Sequence, residues 1–121
     1  MANAVVWVDI PVSDLDRATR FYSNVLGTKV EKHDIPNGEM GVLLHAENEV
    51  AGCLYKKAGD SPSAQGPIVY LNVSGRLDEA VAAAETNGGK VLRPRHAIGQ
   101  YGFCAIVLDS EGNRIALHSG T

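Results

Sequence analysis

The stretch Ile10-Pro11-Val12-Ser13-Asp14-Leu15-Asp16-Arg17-Ala18-Thr19-Arg20-Phe21-Tyr22-Ser23-Asn24-Val25-Leu26-Gly27 switches its hydrophobic period partway along. Upstream, in "AVVWVDIPV" (residues 4–12), Val6, Val8 and Ile10 alternate with Trp7 and Asp9, the period of a strand. Downstream, Leu15, Ala18, Tyr22, Val25 and Leu26 recur at helical spacing. Ser13 offers an N-cap, and Asp14 and Asp16 fall in the first turn, where the helix dipole favours acids. Gly27 supplies a left-handed stop. The stretch therefore predicts a strand followed by a helix.

Three short strands are expected next, at 29–33, 39–44 and 50–55, with turns at "PNG" (36–38) and "AENE" (46–49). A Gly/Ser/Pro-rich segment, 58–66, reads as a linker, after which the order starts again. Residues 67–73 form a strand, Ser74 an N-cap, Leu77, Ala80, Val81 and Ala84 a helical stripe, and Gly88 a second helix-ending glycine. Strands at 90–92, 103–108 and 113–118 complete the second half. At a fixed offset of 61 residues, Val8 falls on Val69, Val12 on Val73, Ser13 on Ser74, Gly27 on Gly88, Lys29 on Lys90, Val30 on Val91 and Gly41 on Gly102. These identities sit on strand ends, caps and turns, the positions that fix backbone geometry. The expectation is one α+β domain of two modules, 1–57 and 67–121, joined by 58–66.

The bulk numbers narrow the function classes. A chain of 121 residues with 45% hydrophobic and 21% charged residues suits a single folded core. A net charge of -3 and a pI near 5.7 argue against nucleic acid. Cys53 and Cys104 lie in apolar runs and read as free thiols of a reducing compartment. With no charged-then-apolar leader and no apolar run near membrane-spanning length, the expected location is cytoplasmic, away from membranes.

"IPVSDLDRATRFYSNVLG" (10–27), "VYLNVSGRLDEAVAAAETNGGKVL" (69–92) and "GFCAIVLDSEGNRIALH" (102–118) together resemble the vicinal oxygen chelate superfamily of glyoxalases, bleomycin-resistance proteins and extradiol dioxygenases. The resemblance covers essentially the whole chain. It implies tandem βαβββ modules forming a curved mixed sheet around a cavity, helices on the outer face, and pairing as a homodimer. It further implies four inward metal ligands, a His or Gln on the first strand of each module and a Glu on the last. Carried over position by position, those slots hold Trp7, Ile68, Ala116 and Tyr55. None is an ordinary ligand for a divalent ion, so the expectation is no metal and no other cofactor.

Strand alternation within this fold turns Trp7, Asp9, Cys53, Tyr55, Ile68, Tyr70, Asn72, Arg114 and His118 inward. Aromatic walls with sparse polar groups suit a flat or amphipathic small molecule. The same aromatics would equally plug the cavity or pack a dimer interface, and Asp9 is expected to pair with Arg114. Two functions follow from these residues. One is a metal-free small-molecule-binding module. The alternative is an enzyme of the same superfamily, of lyase, isomerase or dioxygenase type. It would act on a small carbonyl-type substrate by acid/base chemistry through Asp9, Tyr70 or His118, or with a divalent metal.

Overall fold

The structure is a computed structural model that describes residues 3–36 and 38–121. In chain order the elements are β1 (Trp7–Pro11), α1 (Leu15–Leu26), β2 (Glu31–Ile35), β3 (Gly38–Val42) and β4 (Ala51–Tyr55). The second half contains β5 (Val69–Asn72), α2 (Leu77–Thr86), β6 (Lys90–Ala97), a 3-10 turn (Gly99–Tyr101), β7 (Phe103–Leu108) and β8 (Arg114–Ser119). Each half builds its own four-stranded mixed sheet, ordered β1-β4-β3-β2 in one and β5-β8-β7-β6 in the other. In each, the first and last strands pair in parallel and the others antiparallel. The repeated β-α-β-β-β order is thus a duplicated architecture. The expected turn at 36–38 includes Asn37, which lies outside the described residues.

One apolar core joins the halves. Ile10, Val12 and Leu54 of the first sheet meet Leu71, Val73, Ile115 and Leu117 of the second through Phe21, Tyr22, Val25, Ala80 and Ala84 of the helices. Helix α1 is also gripped at both ends by the second half. At its N-terminus the Glu111 carboxylate, from the β7–β8 turn, accepts from the backbone N–H of Ser13 (3.0 Å) and Asp14 (2.8 Å) and from the Arg17 guanidinium (2.7 and 2.8 Å). At its C-terminus Arg76 donates to the Val25 carbonyl at 2.6 Å. An anion at the positive end of the dipole and a cation at the negative end both stabilise a helix.

Two expected caps move. The N-cap of α1 is Asp14, whose carboxylate accepts from Arg17 N–H, because Ser13 N–H is turned toward Glu111. Helix α2 begins after Arg76 with no side-chain cap, and the Ser74 hydroxyl instead accepts from Gly120 N–H. Gly27 does adopt the left-handed cap, at φ 73°. Strand β6 runs past Pro94 to Ala97. An edge position and two register shifts absorb the proline, which cannot donate to a ladder.

Candidate functional site

Strands β1 and β5 each have one neighbour, so each leaves a free edge. Val6 carbonyl and Val12 N–H bond β4, and Val73 N–H bonds His118, so alternation turns the peptide groups of Trp7, Asp9, Tyr70 and Asn72 to the open side. A groove of about 830 Å3 runs along both edges. Consecutive residues line it, Trp7 with Val8 and Pro67 through Asn72, which only an edge-on approach to the strands permits. Leu26 and Thr28 after α1, and Leu43, Leu44 and Val50 around β3 and β4, complete the lining. Among the described residues, no charged side chain lines the groove; its polar side chains are those of Trp7, Thr28, Tyr70 and Asn72.

Of the residues expected inward, Trp7, Ile68, Tyr70 and Asn72 reach this groove. Asp9 and Cys53 adjoin it through Trp7. The Asp9 Oδ1 atom accepts from the indole Nε1 (2.6 Å) and from the Cys53 thiol (3.3 Å). Burial, and then the hydrogen bond and charge of Asp9, push the Cys53 thiol up to about 11. Tyr55, Arg114 and His118 lie elsewhere. Tyr55 donates its hydroxyl to Asp60 at 2.9 Å, and Arg114 donates to the Gly66 carbonyl at 2.9 Å. His118 Nε2 sits 2.6 Å from the Tyr101 carbonyl. The expected Asp9–Arg114 pair does not form among the described residues. Arg114 instead ties down 58–66, the expected linker, together with Asn113, whose amide accepts from Ser63 N–H.

The ladder register also corrects one alignment. Asp9 pairs with Cys53 and Pro11 with Tyr55 in the first sheet, and Tyr70 pairs with Ala116 and Asn72 with His118 in the second. The counterpart of Ala116 is therefore Cys53, and Tyr55 matches His118. The second module is two residues longer between its first and last strands, so the constant offset fails there.

Comparison with known proteins agrees with this architecture. Residues 4–117 match the model of the Glyoxalase/Bleomycin resistance protein/Dioxygenase superfamily. The chain belongs to that superfamily. A glyoxalase/bleomycin resistance protein from Albidiferax ferrireducens superposes with TM-score 0.76 at 17% identity, over 97% of this chain and 98% of that one. The fosfomycin resistance protein FosX of Listeria monocytogenes gives 0.69 at 17%, over 100% and 94%. CFP32 of Mycobacterium tuberculosis, provisionally named a glyoxylase, is 27% identical over 115 residues, 92% of this chain. The chain spans 43% of the length of that curated relative.

The superfamily's metal can be tested against the donors present. With the corrected register, the four positions carry the indole of Trp7, the thiol of Cys53, the butyl group of Ile68 and the methyl group of Ala116. The thiol alone is an ordinary donor type, and burial together with Asp9 raises its pKa to about 11. Among the described residues, no three His, Cys, Asp or Glu side chains cluster so as to hold an ion. This donor set does not fit a divalent cation, which needs at least three ligands converging within about 2.0–2.2 Å of one point.

Proposed function

We propose that this superfamily member binds an uncharged, largely apolar small molecule in the β1–β5 groove, without a metal and without transforming it. The observation that supports this reading is the groove lining. Apolar side chains supply contact area, and Trp7, Tyr70, Asn72 and the free strand edges supply orientation. A hydrolytic or isomerising centre would need a general base within hydrogen-bond reach of its substrate. No carboxylate is among the described groove-lining residues, and Asp9, which adjoins the groove, has its Oδ1 shared by the indole and the thiol.

The same edges support pairing with a second copy of the chain. Trp7 is 43% exposed and Tyr70 55%, beside exposed Val5, Val6, Leu44 and Val50. Two unpaired strand edges with apolar flanks are surfaces that proteins ordinarily cover. Among the described residues, no helix is long and apolar enough to cross a membrane. Cys53 and Cys104 are unpaired, as a reducing cytoplasm would leave them, and the cytoplasm is the proposed location.

The test uses the single tryptophan, Trp7. Titration with Nile red, a neutral flat dye, is expected to quench its emission saturably at one dye per chain. Tyr70→Ala is expected to weaken binding at least about tenfold, or about 1.4 kcal/mol, while Asp9→Asn stays within about threefold. Absence of saturable quenching would overturn the binding reading. One equivalent of a tightly held transition metal in protein purified without chelator would restore the metal-dependent enzyme.

A further inference from the structure

A second chemical cluster lies on the second sheet, in a row that starts from the groove residue Asn72. The ladders align Asn72 with His118, His118 with Cys104, and Cys104 with His96. These four residues form one row across β5, β8, β7 and β6, and register partners present their side chains on a common face. The Cys104 sulfur lies 3.3 Å from His96 Nε2, and His96 Nδ1 lies 2.9 Å from the Pro94 carbonyl. A carbonyl only accepts, so Nδ1 carries the proton and Nε2 presents a lone pair to the thiol. Nucleophile, base and base-orienting group thus follow one another within hydrogen-bond reach. A register shift separates His96 from Arg93 in the ladder, and bulges often redirect the side chains beside them. The contrast with Cys53 is chemical: one thiol faces a carboxylate that suppresses its ionisation, the other a base that can take its proton.

We infer that Cys104 and His96 form a nucleophilic thiol–imidazole site that takes small soft carbon electrophiles of the α,β-unsaturated carbonyl class. In the reaction, His96 Nε2 removes the thiol proton as sulfur bonds to the β-carbon. The C=C π pair moves to the α-carbon, which takes that proton back from His96, so no oxidant or further reactant is consumed. Cys104 is 1% exposed, so an electrophile reaches the sulfur only through local opening of the fold. Neither Cys104 nor His96 lines the groove, so the inference does not rest on what the groove binds.

The test is labelling of the whole folded protein with N-ethylmaleimide, an electrophile of this class, followed by peptide-resolved mass spectrometry. Burial without activation slows a thiol relative to the unfolded chain, whereas a working dyad speeds it. Cys104 is expected to react at least about tenfold faster folded than in urea, a low bound for general-base assistance, with Cys53 slower folded than unfolded. His96→Gln is expected to remove the Cys104 enhancement and leave Cys53 unchanged. Equal or slower labelling of Cys104 in the folded protein overturns the inference. So does a folded His96→Gln chain that keeps the wild-type rate.

Discussion

Asp9 shows how the surroundings of a side chain decide its chemistry. Its Oδ1 accepts two donors, from Trp7 and Cys53, and its charge helps keep the neighbouring thiol protonated at about 11. Replacing the carboxylate by an amide removes the charge and leaves burial as the main term, so Asp9→Asn is expected to lower the Cys53 pKa. At pH 8 each unit of fall gives about tenfold more thiolate. Cys53 labelling is therefore expected to accelerate by roughly three- to tenfold, read by the same peptide-resolved mass spectrometry; an unchanged rate would remove Asp9 as the cause. Alternation puts Trp7 and Asp9 on one face of β1 and Cys53 and Tyr55 on one face of β4, and a slip of two residues preserves the face of a strand; of the four, Trp7 lines the groove, Asp9 and Cys53 adjoin it, and Tyr55 turns to Asp60. The slot was not legible: β6 is longer than β2 and holds two register shifts, and the connections around it also differ in length between the modules, none of which shows in strand periodicity.

At the scale of elements, helix α1 shows what single-element reading can and cannot recover. Its span, its apolar stripe and its Gly27 stop follow from local sequence. Its real N-terminal partner does not, since Glu111 lies nearly a hundred residues away. That carboxyl is wholly buried. Burial alone would raise its pKa, but the Arg17 guanidinium, the Asp14 and Ser13 N–H groups and the Ser110 hydroxyl outweigh burial and hold it at about 2. A carboxyl depressed from 4.5 stabilises the fold above that value and loses its contribution as pH falls toward 2. With Arg17 half-exposed and screened, the contribution is about 1–3 kcal/mol. Urea unfolding of Glu111→Gln is expected to show that loss at pH 7 and little difference from wild type near pH 2. A constant difference across that range would assign the effect to packing. Gly89 is also outside local reach. A Cβ there would lie 2.5 Å from the Leu108 carbonyl oxygen and 2.8 Å from Phe21 Cε2, so the close approach of α2 to β7 demands glycine.

For the whole molecule, the duplication and the turn of Trp7, Ile68, Tyr70 and Asn72 toward a cavity could be read from the sequence, but the rest of the groove lining could not, because it depends on how the two sheets are set against each other. Only the placement of β1 and β5 brings Leu26, Leu43 and Pro67 to the same opening as Trp7 and Tyr70. That placement sets the free edges of β1 and β5 side by side, and a twofold pairing there would use the same patch on both protomers. A charge on such an edge is the ordinary natural safeguard against pairing. Val6 is 68% exposed, lies immediately before β1 and is not part of the groove lining. Val6→Lys is therefore expected to leave the fold and Nile red stoichiometry intact while shifting the mass in solution from two chains to one. Light scattering coupled to gel filtration reads that shift directly. A wild-type protein of one-chain mass would show that the exposed edges serve the groove alone, and a Val6→Lys protein still at two chains would place the contact on another face.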